Sequence, residues 1–96
     1  FFGPVASVYK FATDEEAVAM ANDSLFGLGG SVFSTDTQRA QEVALQVETG
    51  MMAVNAPGTA GAEMPFGGIQ RSGYGRELGP LGMDEFVNKQ LFFVAN

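Results

Sequence analysis

The chain has 96 residues, 46% hydrophobic and 17% charged, the composition of a folded chain of at most one small domain. Its formal net charge of −6 disfavours nucleic acid and anionic membranes, which reward clustered Lys and Arg, and no apolar run approaches the ~20 residues of a membrane-spanning helix. Without Cys or His there is no thiolate nucleophile, disulfide, imidazole base or imidazole metal ligand, so this segment does not carry triad or zinc chemistry alone.

The chain opens on Phe1 with no initiator Met and no signal-like leader, and is expected to be a piece of a longer polypeptide. Residues 5–11, rich in β-branched and aromatic side chains after Gly3-Pro4, predict a strand. Thr13 and Glu16 form a capping box, in which each side chain can satisfy an orphan amide of the other, and start a helix that reaches about Asn22. Residues 22–30, "NDSLFGLGG", predict a turn, and 31–34 a short strand. The "STDT" that follows offers several N-caps. Ala40, Val43, Ala44 and Val47 then repeat at helical spacing, with Gly50 as the closing C′ residue. Residues 51–55 predict a strand buried on both faces, 56–76 an irregular loop, 81–88 a short helix and 91–95, "LFFVA", a final strand. The alternation predicts an α/β fold: a partial, largely parallel sheet with flanking helices. Functional groups in such sheets gather where strands feed loops, so the segment after Asn55 is the place to look for a site.

That segment holds "PFGGIQRSGYGRELG", residues 65–79, with glycines at 73, 75 and 79. A phosphate cradle needs its glycines directly between a strand and a helix, whereas here the preceding strand ends some twenty positions upstream. A glycine-rich loop wrapped against a neighbouring domain is the plainer reading. Glu63 and Glu77 are candidate general bases only if burial or a charge partner shifts them, and Arg76 beside Glu77 suggests a structural ion pair instead. Phe66, flanked by Pro65 and Gly67, either plugs a core or lines an apolar pocket. The apolar edge at 91–95 needs another strand or chain to cover it.

Four collinear blocks, "FGPV" (2–5), "ANDSLFGLGGSVFS" (21–34), "VETGMMAVN" (47–55) and "PFGGIQRSGYGRELG" (65–79), resemble the C-terminal part of the NAD(P)-dependent aldehyde dehydrogenase superfamily over nearly the whole chain. "ETGMMAVN" with "EMPFGGIQRSGYGRELGPLGMDEFVNK" most resembles its succinate-semialdehyde dehydrogenase branch. The resemblance implies enzymes in which a cysteine attacks an aldehyde, hydride passes to the nicotinamide of NAD or NADP, and a glutamate-activated water releases the carboxylate. That cysteine and that base lie upstream of the matched blocks, so no catalytic residue is assigned to this chain and the piece alone is expected to be inactive. Phe2, Gly3 and Pro4 match the end of a Glu-x-Phe-Gly-Pro motif whose phenylalanine meets the nicotinamide; Phe2 is the implied cofactor contact, and the glutamate would precede Phe1.

Asn55 and Phe66 match the ends of the family's substrate loop, which makes Phe66 the implied pocket aromatic and places Gly58, Thr59 and Ala60 in the variable pocket segment. The resemblance also implies that residues 1–88 belong to a catalytic domain. Residues 89–96 are then a terminal strand that joins a second copy in a dimer or tetramer. It implies a small aldehyde as substrate; a cytoplasmic setting is expected, and the charge and composition predict no metal, membrane or nucleic-acid partner. The other reading of the residues is a non-catalytic assembly module that binds a partner through the loop and final strand.

Overall fold

The computed structural model describes residues 3–58 and 61–96. The first helix, α1 (Asp14–Asn22), begins where the capping box places it. Thr13 Oγ1 accepts the Glu16 amide at 3.2 Å, and the Glu16 carboxylate reaches back to the Ala12 amide at 2.7 Å, one residue earlier than the usual partner. After α1 come β1 (Phe26–Gly27), β2 (Gly29–Val32), α2 (Thr37–Ala44), β3 (Met51–Val54), β4 (Ile69–Gln70) and α3 (Gly79–Asp84). Strands β2 and β3 pair in parallel, Gly29 opposite Met51 through Val32 opposite Val54, with α2 as the connection between them. Strands β1 and β4 pair antiparallel, Gly27 opposite Ile69. The architecture is therefore mixed α/β, with one parallel and one antiparallel pair rather than one largely parallel sheet.

The core is small. Ala40 and Ala44, one turn apart on α2, and Ala53 on β3 are the buried hydrophobic residues among those described. Small side chains at all three let the helix lie close on the β2–β3 pair. Two polar ties hold α1 beside this unit. Arg39 of α2 grips Asp14 of α1 with Nε and Nη2, both at 2.6 Å. Asn22 donates to the Gln46 carbonyl at 3.0 Å and accepts the Glu48 amide at 2.8 Å.

Several sequence expectations change in the fold. Residues 5–11 form no strand and pair with none among the described residues, and Val8 and Tyr9 are exposed. Their β-propensity records suitability for a sheet, while pairing needs a neighbour. The expected turn at 22–30 contains β1 and the start of β2, and β2 ends at Val32 rather than Ser34. Helix α2 stops at Ala44, so Gly50 lies beyond its end and is not its C′ residue. Only Ala53 of β3 is buried, the rest being half-buried. The last helix starts at Gly79 and ends at Asp84, earlier than the expected 81–88. The expected strand at 91–95 is exposed chain with no ladder partner among the described residues.

The chain exposes 8030 Å², against about 5300 Å² for a compact protein of its mass. Its radius of gyration is 17.5 Å, where about 12–13 Å is usual for this length. Much apolar surface thus lies uncovered, above all at the two ends.

The hydrogen bonds from Arg39 hold the Asp14 carboxyl below its ordinary value of 3.8, with the guanidinium charge adding to the effect. A folded value below the unfolded one stabilises the fold fully above the unfolded value, and the gain disappears as pH falls through the lowered value. Asp14→Asn in the complete protein should therefore melt below wild type at about pH 6, with the gap closing towards about pH 2. A gap independent of pH would show that the ion pair does not couple to folding.

Candidate functional site

Apart from β4, most of the described residues of 56–76 are irregular, as expected, and one antiparallel bridge between Phe66 and Glu77 folds residues 66–77 back as a hairpin-like loop. Phe66 and Glu77 exchange both main-chain hydrogen bonds, at 2.8 and 2.7 Å, and β4 continues one arm towards a turn at Ser72 and Gly73. Arg76 straps the arms together: its Nη1 donates to the carbonyls of Gly68 at 2.8 Å and Gly75 at 2.7 Å. The expected Arg76–Glu77 ion pair is thus replaced by a main-chain clamp, and the ion pairs among the described residues are Arg39–Asp14 and Lys89–Asp84.

The hairpin sits on the body through main chain packed on main chain. A Cβ at Gly50 would collide with the Gly67 carbonyl oxygen and lie 2.7 Å from the Gly68 Cα. A Cβ at Gly68 would meet Ser72 Cβ at 2.5 Å and the Gly27 carbonyl oxygen at 3.0 Å. Hydrogen bonds close the same junction: the Gly50 amide donates to Gly27 O at 3.0 Å, and the Gly27 amide to Ser72 Oγ at 3.0 Å. The glycines of "PFGG" are there for close approach within the chain.

This seat places Phe66 beside the end of β3. Phe66, Pro57 and Gly58 line one cleft of about 310 Å³, with Leu28, Gly30 and Met52 on its wall. Phe66 is 41% exposed in this chain and lines this cleft. A Cβ at Gly58 would meet nothing within 4 Å, which leaves the cleft open on that side. The loop between is tied at its far end, where the Gly79 amide donates to the Ala62 carbonyl at 2.9 Å. Glu63 and Glu77 do not line this cleft, but Phe66 also borders a second cleft of about 350 Å³ that Glu77 lines with Tyr74 and Arg76. Thr59, Ala60 and Phe2, the other expected site residues, lie outside the described residues.

A larger cavity of about 630 Å³ lies between α1, β2 and α2, lined by residues such as Val18, Phe26, Val32 and Val43 and by no ionisable side chain. Its lining is mostly apolar, with the hydroxyl residues Ser24, Ser31, Thr49 and Ser72 among it. Among the described residues no group of three His, Cys, Asp or Glu could hold a metal ion. Nor do they build a dinucleotide cradle: Gly3 and Pro4 are exposed, and a side chain at Gly3 would meet nothing within 4 Å.

The model of the aldehyde dehydrogenase family matches residues 1–92. The chain belongs to the aldehyde dehydrogenase family. It is 56% identical over 90 residues, 94% of its length, to succinate-semialdehyde dehydrogenase [NADP(+)] of Deinococcus radiodurans, of which it covers 19%. A probable succinate-semialdehyde dehydrogenase [NADP(+)] of Synechocystis is 44% identical over 99% of the chain, which covers 21% of that protein. Among solved structures, succinic semialdehyde dehydrogenase from Streptococcus pyogenes in complex with NADP+ superposes with a TM-score of 0.90 at 50% identity, over 99% of this chain and 21% of that one. Betaine aldehyde dehydrogenase from Staphylococcus aureus in complex with NAD+ gives 0.85 at 46% identity, over 88% of this chain and 17% of that one. This aldehyde dehydrogenase chain therefore spans about a fifth of the length of the curated relatives it matches.

Of the site residues expected from sequence, Phe66 and Gly58 line this cleft, and sequence reasoning singled out neither Leu28 nor Met52, which line it too. Leu28 and Met52 reach the cleft because β2 and β3 lie side by side. The signal was the pair of short apolar runs flanking α2, whose register only the fold supplies. The Arg76 clamp was also hidden, because its partners are backbone carbonyls. Arg76→Ala should cost the complete aldehyde dehydrogenase about 2 kcal/mol, the worth of hydrogen bonds from a charged donor to partly buried acceptors. Urea denaturation of wild type and variant checks this, and an unchanged midpoint would remove the clamp from the account.

Proposed function

We propose that the complete protein oxidises a small aldehyde, succinate semialdehyde, to its carboxylate with NAD(P), and that this chain supplies one wall of the aldehyde pocket. The observation that carries the reading is the cleft at the end of β3. It brings Phe66 and Gly58 together, two positions that the family resemblance assigns to the substrate. Bound NAD(P) supplies the hydride acceptor. The chain's own residues bind, orient and exclude water: Phe66 offers an apolar face to the aldehyde's carbon chain, and the small residues of the loop leave room for it. Phe2 is the proposed cofactor contact, and Thr59 and Ala60 complete the proposed pocket segment.

Two relatives named for succinate semialdehyde, at 56% and 44% identity, support that substrate and the use of NADP. The betaine aldehyde dehydrogenase at 46% identity shows that the same local fold also serves an enzyme named for another aldehyde. In the proposed assembly residues 1–88 complete a catalytic domain whose sheet is largely parallel. Residues 89–96 form a terminal strand against a second copy. The exposure of Leu91, Phe92 and Phe93 supports that role, since such a run is costly to leave in water.

Phe66→Ala in the complete protein should raise KM for succinate semialdehyde about tenfold or more, the worth of a lost aromatic contact, and leave KM for NADP near wild type. Steady-state kinetics with both substrates varied gives the two constants. Unchanged aldehyde kinetics with a stability loss of about 3–5 kcal/mol would make Phe66 a core residue instead.

A further inference from the structure

The loop that carries Gly58 leaves β3 at Asn55, where three features coincide. The residue has φ 55°, the left-handed region in which Asn is among the few tolerated side chains. Its amide donates to the Val32 carbonyl at 2.8 Å, extending the parallel ladder one residue past β3. Its side-chain Oδ1 accepts the Ser34 amide at 2.9 Å, so the same residue holds the chain leaving β2 by a second bond. Ser34 is itself fixed at the head of α2. Its Oγ accepts the Asp36 amide at 3.1 Å, and Asp36 caps the helix by accepting the Arg39 amide at 3.0 Å.

We infer that Asn55 is a positioning residue for the substrate cleft: its side chain locks the exit of β3 to the exit of β2 and so sets where Pro57 and Gly58 stand opposite Phe66. A left-handed turn alone would be served better by Gly, which carries no penalty there. The turn therefore does not explain the Asn; the accepted hydrogen bond from Ser34 does. The Ser34–Asn55 bond lies at the surface, so its loss leaves the Ser34 amide free to bond water, and a variant lacking it still folds. The inference rests on the reading of the cleft as the aldehyde pocket only in its kinetic consequence.

Two substitutions in the complete protein separate turn from lock. Asn55→Gly keeps the left-handed turn and removes the acceptor, whereas Asn55→Asp keeps an acceptor oxygen. Amide hydrogen exchange at Ser34 and at position 55, whose amides make the two bonds described, should, after correction for intrinsic rates and with no activity needed, be about fivefold faster or more in Asn55→Gly, the worth of one hydrogen bond. Asn55→Asp should stay near wild type. The same Gly variant should raise KM for succinate semialdehyde with kcat and KM for NADP unchanged, and the Asp variant should restore it. Wild-type exchange in Asn55→Gly would overturn the inference. So would faster exchange with an unchanged aldehyde KM. A wild-type protein that oxidises no aldehyde would refute the proposed activity, while the exchange comparison would still decide the lock.

Discussion

Everything in the candidate site depends on one contact, the packing of the Gly50 backbone against Gly67 and Gly68. There is no room for a side chain between these segments, so the hairpin of residues 66–77 comes as close to the body as main chain permits. That approach aligns Gly27 with Ile69 in the β1–β4 pair and lets Ser72 accept the Gly27 amide. With the hairpin seated and its arms strapped by Arg76, Phe66 has one place to stand, beside the β3 exit. The loop from Asn55 is then tied to Ser34 at its start and, through Ala62, to Gly79 at its return. Cleft geometry here comes from backbone contacts and hydrogen bonds to backbone groups, the one charged donor among them being Arg76.

The same contact explains why the glycines invite a wrong reading. A glycine that admits a phosphate and a glycine that admits another backbone look alike in sequence, since both need the absence of a side chain. Only the partner differs, and residues 27, 50 and 68 are brought together by the fold. Local signals carried through well. The Thr13–Glu16 box starts α1 and the spacing of Ala40 and Ala44 marks the buried face of α2. The apolar run after Gly50 is β3. What sequence could not supply was pairing. Residues 5–11 and 91–95 carry strand-like side chains, yet nothing among the described residues lies beside them. Ile69 and Gln70 carry little strand signal, yet pair because the junction presents β1 to them. The lock at Asn55 escaped for a related reason, because its partner is an amide twenty-one residues away.

The uncovered surface follows from the size of this part relative to its relatives. A chain that spans about a fifth of the matched enzymes retains the β2–α2–β3 unit and the hairpin, but among its described hydrophobic residues buries three small alanines. Large apolar side chains, among them Phe92 and Phe93 near one end and Tyr9 and Phe11 near the other, remain exposed. Those are the surfaces through which the proposed catalytic domain and second copy would stabilise it. The cleft, by contrast, is formed by contacts internal to the chain, which accounts for its presence without them.

The most direct test of this account is Gly50→Ala in the complete protein, followed by thermal melting and aldehyde kinetics. The added methyl group must displace the Gly67 carbonyl, and the account predicts a stability loss of about 1–3 kcal/mol, as for other overpacked sites, together with a raised KM for the aldehyde and an unchanged KM for NADP. A variant that melts and binds aldehyde as wild type does would show that the hairpin is not seated through Gly50, and would contradict the account at its foundation.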